Sequence, residues 1–459
     1  MGEKLLLSFY GDDLTGSCDA MEALALGGVR TALFLEPPAP ALLRERFPAL
    51  QALGVAGVSR TMTPARMDEA LPPVFAQLSR LDAAIFHYKV CSTFDSAPEV
   101  GSIGRAIDIG QQVFQSRFVP LLVGAPALRR YCLFGNLFAT VGDETFRLDR
   151  HPTMSRHPVT PMNESDLRLH LARQTAQRIA LFDILHLTGA PAELDERLAR
   201  LLEARPEVVL FDVMDDARLA EAGRLIQAQC GERTLFVAGS SGVEYALVAH
   251  WRAAGVIPRS NDFNRAATEV ASTKQIIVVS GSCSPVTNAQ IEWAMEHGFA
   301  GIKLDAAKLA DGEQAQAERA ATKHKTLEAL AAGRSPILYS AQGPDDAEIE
   351  RTLSLLQARG LDAASVRERI GEQQGLLLRE LLEATGLRRA VIAGGDTSSH
   401  AARQLGIFAL ELLAPIAPGS PLCRASSHDP RFDGLEIALK GGQGGKADYF
   451  ECVRRGSPQ

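Results

Sequence analysis

Short apolar segments alternate with amphipathic helical stretches along most of this chain of 459 residues. In the first half, the segments with the length and composition of buried strands are residues 5–10, 31–35, 83–88, 119–123, 179–181, 208–211 and 234–237. Helical patterns lie between them, at residues 16–26, 194–205 and 217–230. This alternation predicts an α/β fold with a mostly parallel sheet covered by helices on both faces.

The length of the chain exceeds that of one ordinary hydrophobic core, which predicts two domains. Periodicity fades after residue 254, and the polar segment 258–265 contains turn-forming residues typical of a connection. A second α/β pattern begins at residues 275–279 and continues to 435–439. We therefore predict domains at residues 1–255 and 274–459, each a mostly parallel sheet flanked by helices, joined by a linker at 256–273.

The composition excludes several classes of protein. Hydrophobic residues make up 46% and charged residues 22%, and the net charge is −7, which argues against a nucleic-acid partner. No apolar run reaches the roughly 18 residues of a membrane span, and the first residues lack the form of a signal peptide. The chain has seven cysteines, an odd number, and no CxxC motif, which argues against a metal site or a disulfide framework. A reducing, cytoplasmic location is predicted.

Two adjacent carboxylates follow the first apolar segment, in Gly-Asp-Asp-Leu-Thr-Gly at residues 11–16. In an open α/β sheet, ligands bind at the carboxyl ends of the strands. One aspartate would suffice to cap the helix that follows, and two exceed that need. Asp12 and Asp13 are therefore catalytic candidates, as a general base toward a hydroxyl or as outer-shell Mg²⁺ ligands. The sequence does not choose between them.

A second polar loop, Lys-Val-Cys-Ser-Thr-Phe-Asp-Ser at residues 89–96, also follows an apolar segment. It combines a cation, hydroxyls and a carboxylate, an inventory that suits a polyhydroxy acid. Lys89 would bind a carboxylate, and the serine and threonine would bind hydroxyls. A capped loop with solvated side chains is an equal alternative. The substrate-binding candidates in this loop are Lys89, Cys91, Ser92, Thr93 and Asp95.

Three glycine loops in the second half each follow a predicted strand: residues 280–285, 394–399 and 440–446. Glycine lets backbone N–H groups approach an anion, and a helix N-terminus adds a favourable dipole. Together the loops predict a phosphate site. Neither the Walker A pattern nor GxGxxG fits around Lys446. The nucleotide-binding candidates are Ser280, Gly281, Ser282, Ser284, Gly394, Gly395, Asp396, Thr397, Gly441 and Gly442.

These motifs resemble those of the four-carbon acid sugar kinase family, formerly a domain of unknown function. The matching segments, in the family's order, are residues 11–16, 89–96, 135–138, 157–162, 280–284 and 394–397. The Cys-Ser-Thr-Phe-Asp-Ser and His-Pro-x-Thr-Pro-Met forms are most similar to the 3-oxo-tetronate kinase branch. Two departures are Gly11 in place of alanine and a last loop that reads Lys-Gly-Gly-Gln-Gly-Gly at 440–445.

The resemblance implies that the N-terminal domain binds an acid sugar, that the C-terminal domain binds ATP, and that the reaction occurs in a cleft between them. The γ-phosphoryl group would pass to the terminal (C4) hydroxyl of a four-carbon sugar acid such as 3-oxo-tetronate, threonate or erythronate. His157 and Thr160 would join the substrate site, although sequence alone predicts only a proline-stiffened loop there. Asp396 would be the candidate Mg²⁺ ligand.

Two other functions remain open on the sequence. A sugar-acid dehydrogenase would need a dinucleotide fingerprint, which the chain lacks. A non-catalytic sugar-acid sensor would need neither the glycine loops nor the paired aspartates. The stereochemistry of the acid and the oligomeric state are also open, and a homodimer is compatible with the sequence.

Overall fold

The computed structural model describes residues 4–157, 159–258, 270–344, 346–357 and 362–459, apart from the side chains of residues 356, 363, 364 and 396. The chain divides into two compact units, Met1–Asn261 and Asp262–Gln459. The predicted linker at 256–273 includes residues 259–269, which lie outside the described residues.

The N-terminal unit is built on one parallel sheet and a small antiparallel one. Its strands are β1 (Leu7–Gly11), β2 (Thr31–Phe34), β3 (Ala52–Ala56), β4 (Ile85–Lys89), β5 (Val119–Leu122), β6 (Arg130–Leu133), β7 (Asn136–Val141), β8 (Glu144–Arg147), β9 (Ile179–Phe182), β10 (Val208–Phe211) and β11 (Leu235–Gly239). Its helices are α1 (Leu14–Leu26), α2 (Pro40–Arg46), α3 (Pro64–Ser79), α4 (Ile103–Phe114), α5 (Leu167–Leu171), α6 (Pro191–Glu203), α7 (Asp216–Gln227) and α8 (Gly242–Ala253).

The strand order of the parallel sheet is β2-β3-β1-β4-β11-β5-β10-β9. Strands β6, β7 and β8 form the separate antiparallel sheet. Helix α4 packs on the large sheet through the stacked rings of Phe114 and Phe86, whose centroids lie 4.4 Å apart, and Phe75 of α3 meets the ring of Phe86 edge-on at 5.1 Å. Such pairs add to the stabilisation from apolar burial.

The C-terminal unit has a second sheet. Its strands are β12 (Ile277–Ser280), β13 (Ala300–Lys303), β14 (Pro336–Tyr339), β15 (Arg389–Ala393), β16 (Ile407–Ala417), β17 (Ser420–Ser427) and β18 (Glu436–Lys440). Its helices are α9 (Pro285–Glu296), α10 (Ala306–Ala310), α11 (Ala315–Ala331), α12 (Ala347–Gln357), α13 (Ala363–Thr385), α14 (Gly395–Gln404) and α15 (Tyr449–Arg455).

Strands β13, β14, β12, β15 and β18 are neighbours in that order and run parallel. Strand β17 pairs antiparallel with both β18 and β16. The predicted α/β class, with a mostly parallel sheet flanked by helices in each unit, is confirmed. The hairpin of β16 and β17 was not predicted, because its first strand is rich in leucine and alanine, which favour helices equally.

Two expectations from composition can be compared with the structure. None of the seven cysteines forms a disulfide with another described residue. Within the described ranges, no helix is both long and apolar enough to cross a membrane.

Candidate active site

The two polar loops of the N-terminal unit lie side by side because their strands are paired. Strand β1 pairs in parallel with β4, with Gly11 opposite Lys89. The backbone N–H of Asp12 donates to the carbonyl oxygen of Lys89 at 2.9 Å. The loop that carries Asp12 and Asp13 therefore begins directly beside the loop at residues 89–96.

Arg60, which the sequence analysis did not single out, joins the two aspartates. Its Nε and one terminal nitrogen donate to the two carboxylate oxygens of Asp12 at 3.0 and 2.8 Å. Its other terminal nitrogen donates to Asp13 at 2.9 Å. This fork-shaped contact is the geometry in which arginine binds carboxylates most strongly. The repulsion between two adjacent carboxylates is thus offset by one guanidinium.

Asp12 and Asp13 differ in their surroundings. Asp13 caps α1, since its carboxylate accepts from the backbone N–H of Gly16 at 2.7 Å and from the hydroxyl of Thr15 at 2.9 Å. Its side chain is 24% exposed, against 4% for Asp12. Burial raises the pKa of Asp12, and Arg60 offsets part of that rise. Asp13 is therefore the member of the pair that a ligand can reach.

Lys89 is almost completely buried at the end of β4. Its Nζ donates to the carbonyl of Val90 at 3.0 Å and lies 3.6 Å from a carboxylate oxygen of Asp19. Burial alone would lower the pKa of Lys89, but the carboxylates of Asp19 and Asp12 raise it above its ordinary value. Lys89 is thus a buried cation that the protein's own carboxylates already compensate.

The loop after Lys89 forms a tight hydrogen-bonded turn. The hydroxyl of Thr93 donates to Asp95 at 2.6 Å and lies 2.9 Å from the sulfur of Cys91. Phe94 between them is fully buried with φ of 55°, a conformation rare outside glycine. Burial alone would raise the pKa of Asp95, but Arg60 and Thr93 hold it below its usual range. Burial also raises the pKa of the Cys91 thiol to about 11, so Cys91 is a neutral thiol here.

The loop at residues 157–162 reaches the same group. Thr160 donates its backbone N–H to Nδ1 of His157 at 3.0 Å, and its hydroxyl oxygen lies 2.9 Å from the same nitrogen. His157 is among the groups that lower the pKa of Asp95. Ser92 is half-buried at the preceding turn. All the predicted substrate residues thus belong to one region of the N-terminal unit, while Pro158 lies outside the described residues.

Arg130, the first residue of β6, is a second cation that the sequence analysis missed. One terminal nitrogen donates to the carbonyls of Leu128 and Arg129 at 2.8 and 3.3 Å. Its Nε is buried without a hydrogen-bond partner. Burial lowers its pKa, and Cys91 and Asp19 are among the groups that act on it. Among the described residues, no carboxylate forms an ion pair with Arg130.

In the C-terminal unit, the three glycine loops follow neighbouring parallel strands. Ser280 of β12 is opposite Ala393 of β15, and Ala393 is opposite Lys440 of β18. The loops pack so closely that a Cβ at Gly281 would lie 2.1 Å from the hydroxyl oxygen of Thr397. A Cβ at Gly442 would lie 2.9 Å from Cβ of Ser284. Side chains at these glycines would disrupt the packing between the loops.

A cavity of about 330 Å³ opens beside these loops. The predicted residues that line it are Gly281, Ser282, Gly394, Gly395, Thr397 and Gly442. Helices α12 and α13 contribute the apolar Ile349, Leu353, Val366 and Ile370 and the polar Glu348, Thr352 and Arg367. A lining that combines glycine-loop amides with apolar side chains suits the phosphates and the base of a nucleotide.

The other predicted nucleotide residues flank the cavity. Ser284 caps α9 by accepting from the backbone N–H of Val286, and Ser280 is buried at the end of β12. Gly441 precedes the cavity-lining Gly442. The side chain of Asp396 lies outside the described residues, although its neighbours Gly395 and Thr397 both line the cavity.

Comparison with known proteins agrees with this division of the chain. Residues 7–247 match the family described as "Sugar-binding N-terminal domain", and residues 277–450 match "Nucleotide-binding C-terminal domain". A 3-oxo-isoapionate kinase of Paraburkholderia graminis is 51% identical over 452 residues, which cover 98% of this chain and 94% of the relative. The chain belongs to the four-carbon acid sugar kinase family.

Further relatives of this family member are more distant. A 3-oxo-tetronate kinase of Cupriavidus necator is 32% identical over 461 residues, which cover 99% of this chain and 98% of the relative. A solved Haemophilus influenzae structure assigned to DUF1537 has a TM-score of 0.70 at 24% identity, covering 97% of this chain and 99% of that one. The predictions of family and of a kinase are confirmed by these relatives.

The fork between Arg60 and Asp12 makes a prediction for stability. Arg60→Met leaves the buried carboxylate of Asp12 without its partner, which should lower the free energy of unfolding by about 3–5 kcal/mol near neutral pH. Because the pKa of Asp12 then rises further in the folded state, the loss should grow as pH increases above the ordinary aspartate range. Urea denaturation at several pH values measures both effects.

The double variant Asp12→Asn/Arg60→Met is the matched control, since it removes the carboxylate as well. The free energy of unfolding of the double variant should show little of the extra pH dependence that Arg60→Met adds relative to wild type. Parallel pH profiles of wild type and Arg60→Met would contradict the proposed role of the ion pair.

Proposed function

We propose that this chain is an ATP-dependent kinase that phosphorylates the terminal hydroxyl of a 3-oxo sugar acid, with 3-oxo-isoapionate as the first acceptor to test. The observation that carries the proposal is the cavity lined by glycine loops and apolar side chains in the C-terminal unit. The choice of acceptor is supported by the name of the 51% identical relative, a 3-oxo-isoapionate kinase, and by the 3-oxo acids in the names of the 3-oxo-tetronate kinases. Threonate and erythronate remain alternative acceptors.

Phosphoryl transfer depends chiefly on positioning and on charge stabilisation. In the proposed reaction a bond forms between the acceptor oxygen and the γ-phosphorus while the bond from that phosphorus to ADP breaks. The more exposed Asp13 orients the acceptor hydroxyl and accepts its proton. Arg60 holds Asp12 and Asp13 in place through three hydrogen bonds. Backbone N–H groups of Gly394, Gly395 and Gly442 bind the phosphates.

A divalent cation fits this proposal. Mg²⁺ in phosphoryl-transfer sites is held by phosphate oxygens and one or two carboxylates, and it neutralises charge on the transferred group. Asp396 is the proposed protein ligand, because the residues on either side of it line the cavity.

The acceptor's carboxylate also needs a cation. Lys89 is already compensated by Asp19, whereas Arg130 has no ion-pair partner among the described residues. Arg130 also lies within electrostatic range of Cys91, in the loop of predicted substrate residues. We therefore assign recognition of the acceptor carboxylate to Arg130. Lys89 instead stabilises the loop at residues 89–96 through its hydrogen bond to the carbonyl oxygen of Val90.

The direct test is an ATP-consumption screen of the full chain with Mg²⁺ over 3-oxo-isoapionate, 3-oxo-tetronates, threonate and erythronate. Each product is identified by mass and by the position of the phosphate. We expect one 3-oxo acid to be phosphorylated on its terminal hydroxyl with the highest kcat/KM. Binding of acids without ATP consumption would support a sensor instead.

Asp13→Asn should lower kcat by about 10²–10⁴-fold, because the variant keeps the size of the side chain but removes the proton acceptor. Asp12→Asn serves as the companion variant, and ATP affinity should change little in either. Near-normal turnover in both variants would exclude the acidic pair from the chemistry.

Arg130→Gln should raise KM for the acid by about 10–100-fold with a smaller change in kcat, since a charge-assisted hydrogen bond contributes roughly 1.5–3 kcal/mol. Exposed Arg129, its neighbour in the chain, provides the matched control as Arg129→Gln. Activity on a polyol that lacks the carboxylate should be unaffected. An equal loss on acid and polyol would indicate a structural role for Arg130.

A further inference from the structure

A fully buried lysine lies beneath the third glycine loop. Lys440 is the last residue of β18 and has no exposed surface. Its Nζ donates to the hydroxyl oxygen of Thr287 and to the carbonyl oxygen of Gly441, both at 2.9 Å. The ring of Tyr449 lies 5.9 Å away. Lys440 opens the third glycine loop, but the proposed reaction gives this residue no role.

Hydrogen bonds connect Lys440 to the wall of the nucleotide cavity. The hydroxyl of Thr287 donates to the carbonyl oxygen of Gly442 at 3.1 Å. The same hydroxyl oxygen accepts from Ser282 at 3.1 Å. Both Gly442 and Ser282 line the cavity. Charge on Nζ therefore lies just behind the surface proposed to bind phosphates.

No carboxylate among the described side chains forms an ion pair with Lys440. The acidic groups on its own strand and on packed elements have other partners: Glu436 with Arg389, Glu292 with Asn288, Glu451 with Arg454, and Asp448 with Gln459. The other titratable groups on those elements are His400 and Arg403 of α14, Cys423 and Arg424 of β17, Glu296 of α9, Tyr449, Cys452 and Arg455 of α15, Lys446 of the loop, and Asp396 of α14, whose side chain lies outside the described residues. Among the described groups none is a cause of the lowered pKa of Lys440, which comes from burial.

Burial without a counter-charge favours the neutral amine. It lowers the pKa of Lys440 to about 7. A neutral amine has two N–H donors, and the two recorded hydrogen bonds use both of them. An ammonium would have a third N–H, for which the described residues provide no acceptor. The observed geometry therefore suits the neutral form.

We propose that Lys440 is a positioning residue that is largely neutral when the cavity is empty and takes up one proton from solvent when nucleotide phosphates bind at the glycine loops. The ammonium then supplies positive charge from behind the loop, while its hydrogen bonds hold Gly441, and through Thr287 also Gly442, in place. This inference rests on the proposed nucleotide site and adds to it a coupling between protons and phosphates.

The sign of the coupling follows from linkage. Phosphates stabilise the ammonium, so the pKa of Lys440 is higher in the complex than in the free protein. Nucleotide affinity should then fall as pH rises above the pKa of Lys440 in the free protein, by up to about tenfold per pH unit. Below that pKa, Lys440 is protonated in both the free protein and the complex, and the coupling disappears.

Isothermal titration calorimetry of the full chain with ADP and saturating Mg²⁺ measures the proton uptake directly. Titrations in buffers of different ionisation enthalpy give the number of protons bound per nucleotide. We expect about 0.1 proton near pH 6 and about 0.9 near pH 8. Adenosine, which lacks phosphates, should bind without proton uptake.

The variant Lys440→Met should bind ADP with little proton uptake and a flat pH profile of Kd. Lys446→Met, which changes an exposed lysine of the same loop, should behave as wild type. Proton uptake that persists in Lys440→Met would overturn the proposal by assigning the proton to another group.

The wild-type titration is decisive even if Lys440→Met fails to fold. ADP binding without proton uptake near pH 8 would overturn the role of Lys440 and leave the nucleotide site intact. Failure of ADP to bind at any pH would instead overturn the proposed nucleotide site, and the coupling with it.

Discussion

Parallel pairing of neighbouring strands determines where the polar loops of each unit lie. In the N-terminal unit the pairing of β1 with β4 brings Asp12 beside the loop that starts at Lys89. In the C-terminal unit the order β12-β15-β18 brings three separate glycine loops to one edge. The loops are distant in sequence, and only the shared strand direction makes each set a site. The chemistry proposed for both units depends on this one constraint.

Within the N-terminal unit, Arg60 decides whether the acidic pair can exist. Asp12 is buried, and its carboxylate would favour protonation there without a cation. The guanidinium satisfies both oxygens of Asp12 and still reaches Asp13, so one guanidinium stabilises two carboxylates. The same cation lowers the pKa of Asp95 across the loop. Loss of Arg60 would therefore affect both the acidic pair and the loop at residues 89–96.

The sequence was sufficient to predict the loops that contain glycines or paired charges. It was insufficient to predict the cations that follow strands with a weak strand pattern. The acidic pair, the segment at 89–96 and the glycine loops all follow strands that long apolar side chains identify. Arg60 follows β3, whose sequence Ala-Leu-Gly-Val-Ala has little β-propensity. Gly54 is needed there because a Cβ would lie 2.0 Å from the ring of Phe9. Tertiary packing, which no local pattern shows, thus created the strand that places Arg60.

Arg130 and Lys440 escaped prediction for a related reason. Arginine and lysine are ordinary surface residues, and nothing in the local sequence separates a buried cation from a solvated one. Arg130 begins β6 of the small antiparallel sheet, a part of the fold that the β–α alternation did not predict. Lys440 belongs to the segment 440–446 that the sequence analysis considered for its glycines alone. Their surroundings in the fold, rather than their identity, make them candidates for the proposed roles.

The distribution of charge between the two units fits transfer between two anions. An acid acceptor and a nucleotide each need positive charge, yet the cations near the proposed sites, Arg60, Lys89, Arg130 and Lys440, are partly or fully buried. Lys89 and Arg60 are compensated by aspartates, whereas Arg130, near the loop at residues 89–96, forms no ion pair with a carboxylate of the described residues. Lys440, proposed to become a cation when phosphates bind, lies behind the glycine loops. Burial lowers the pKa of both residues, so each gains most from an anionic ligand and little from water. The desolvation of Arg130 and Lys440 in the free protein therefore favours the binding of anionic substrates.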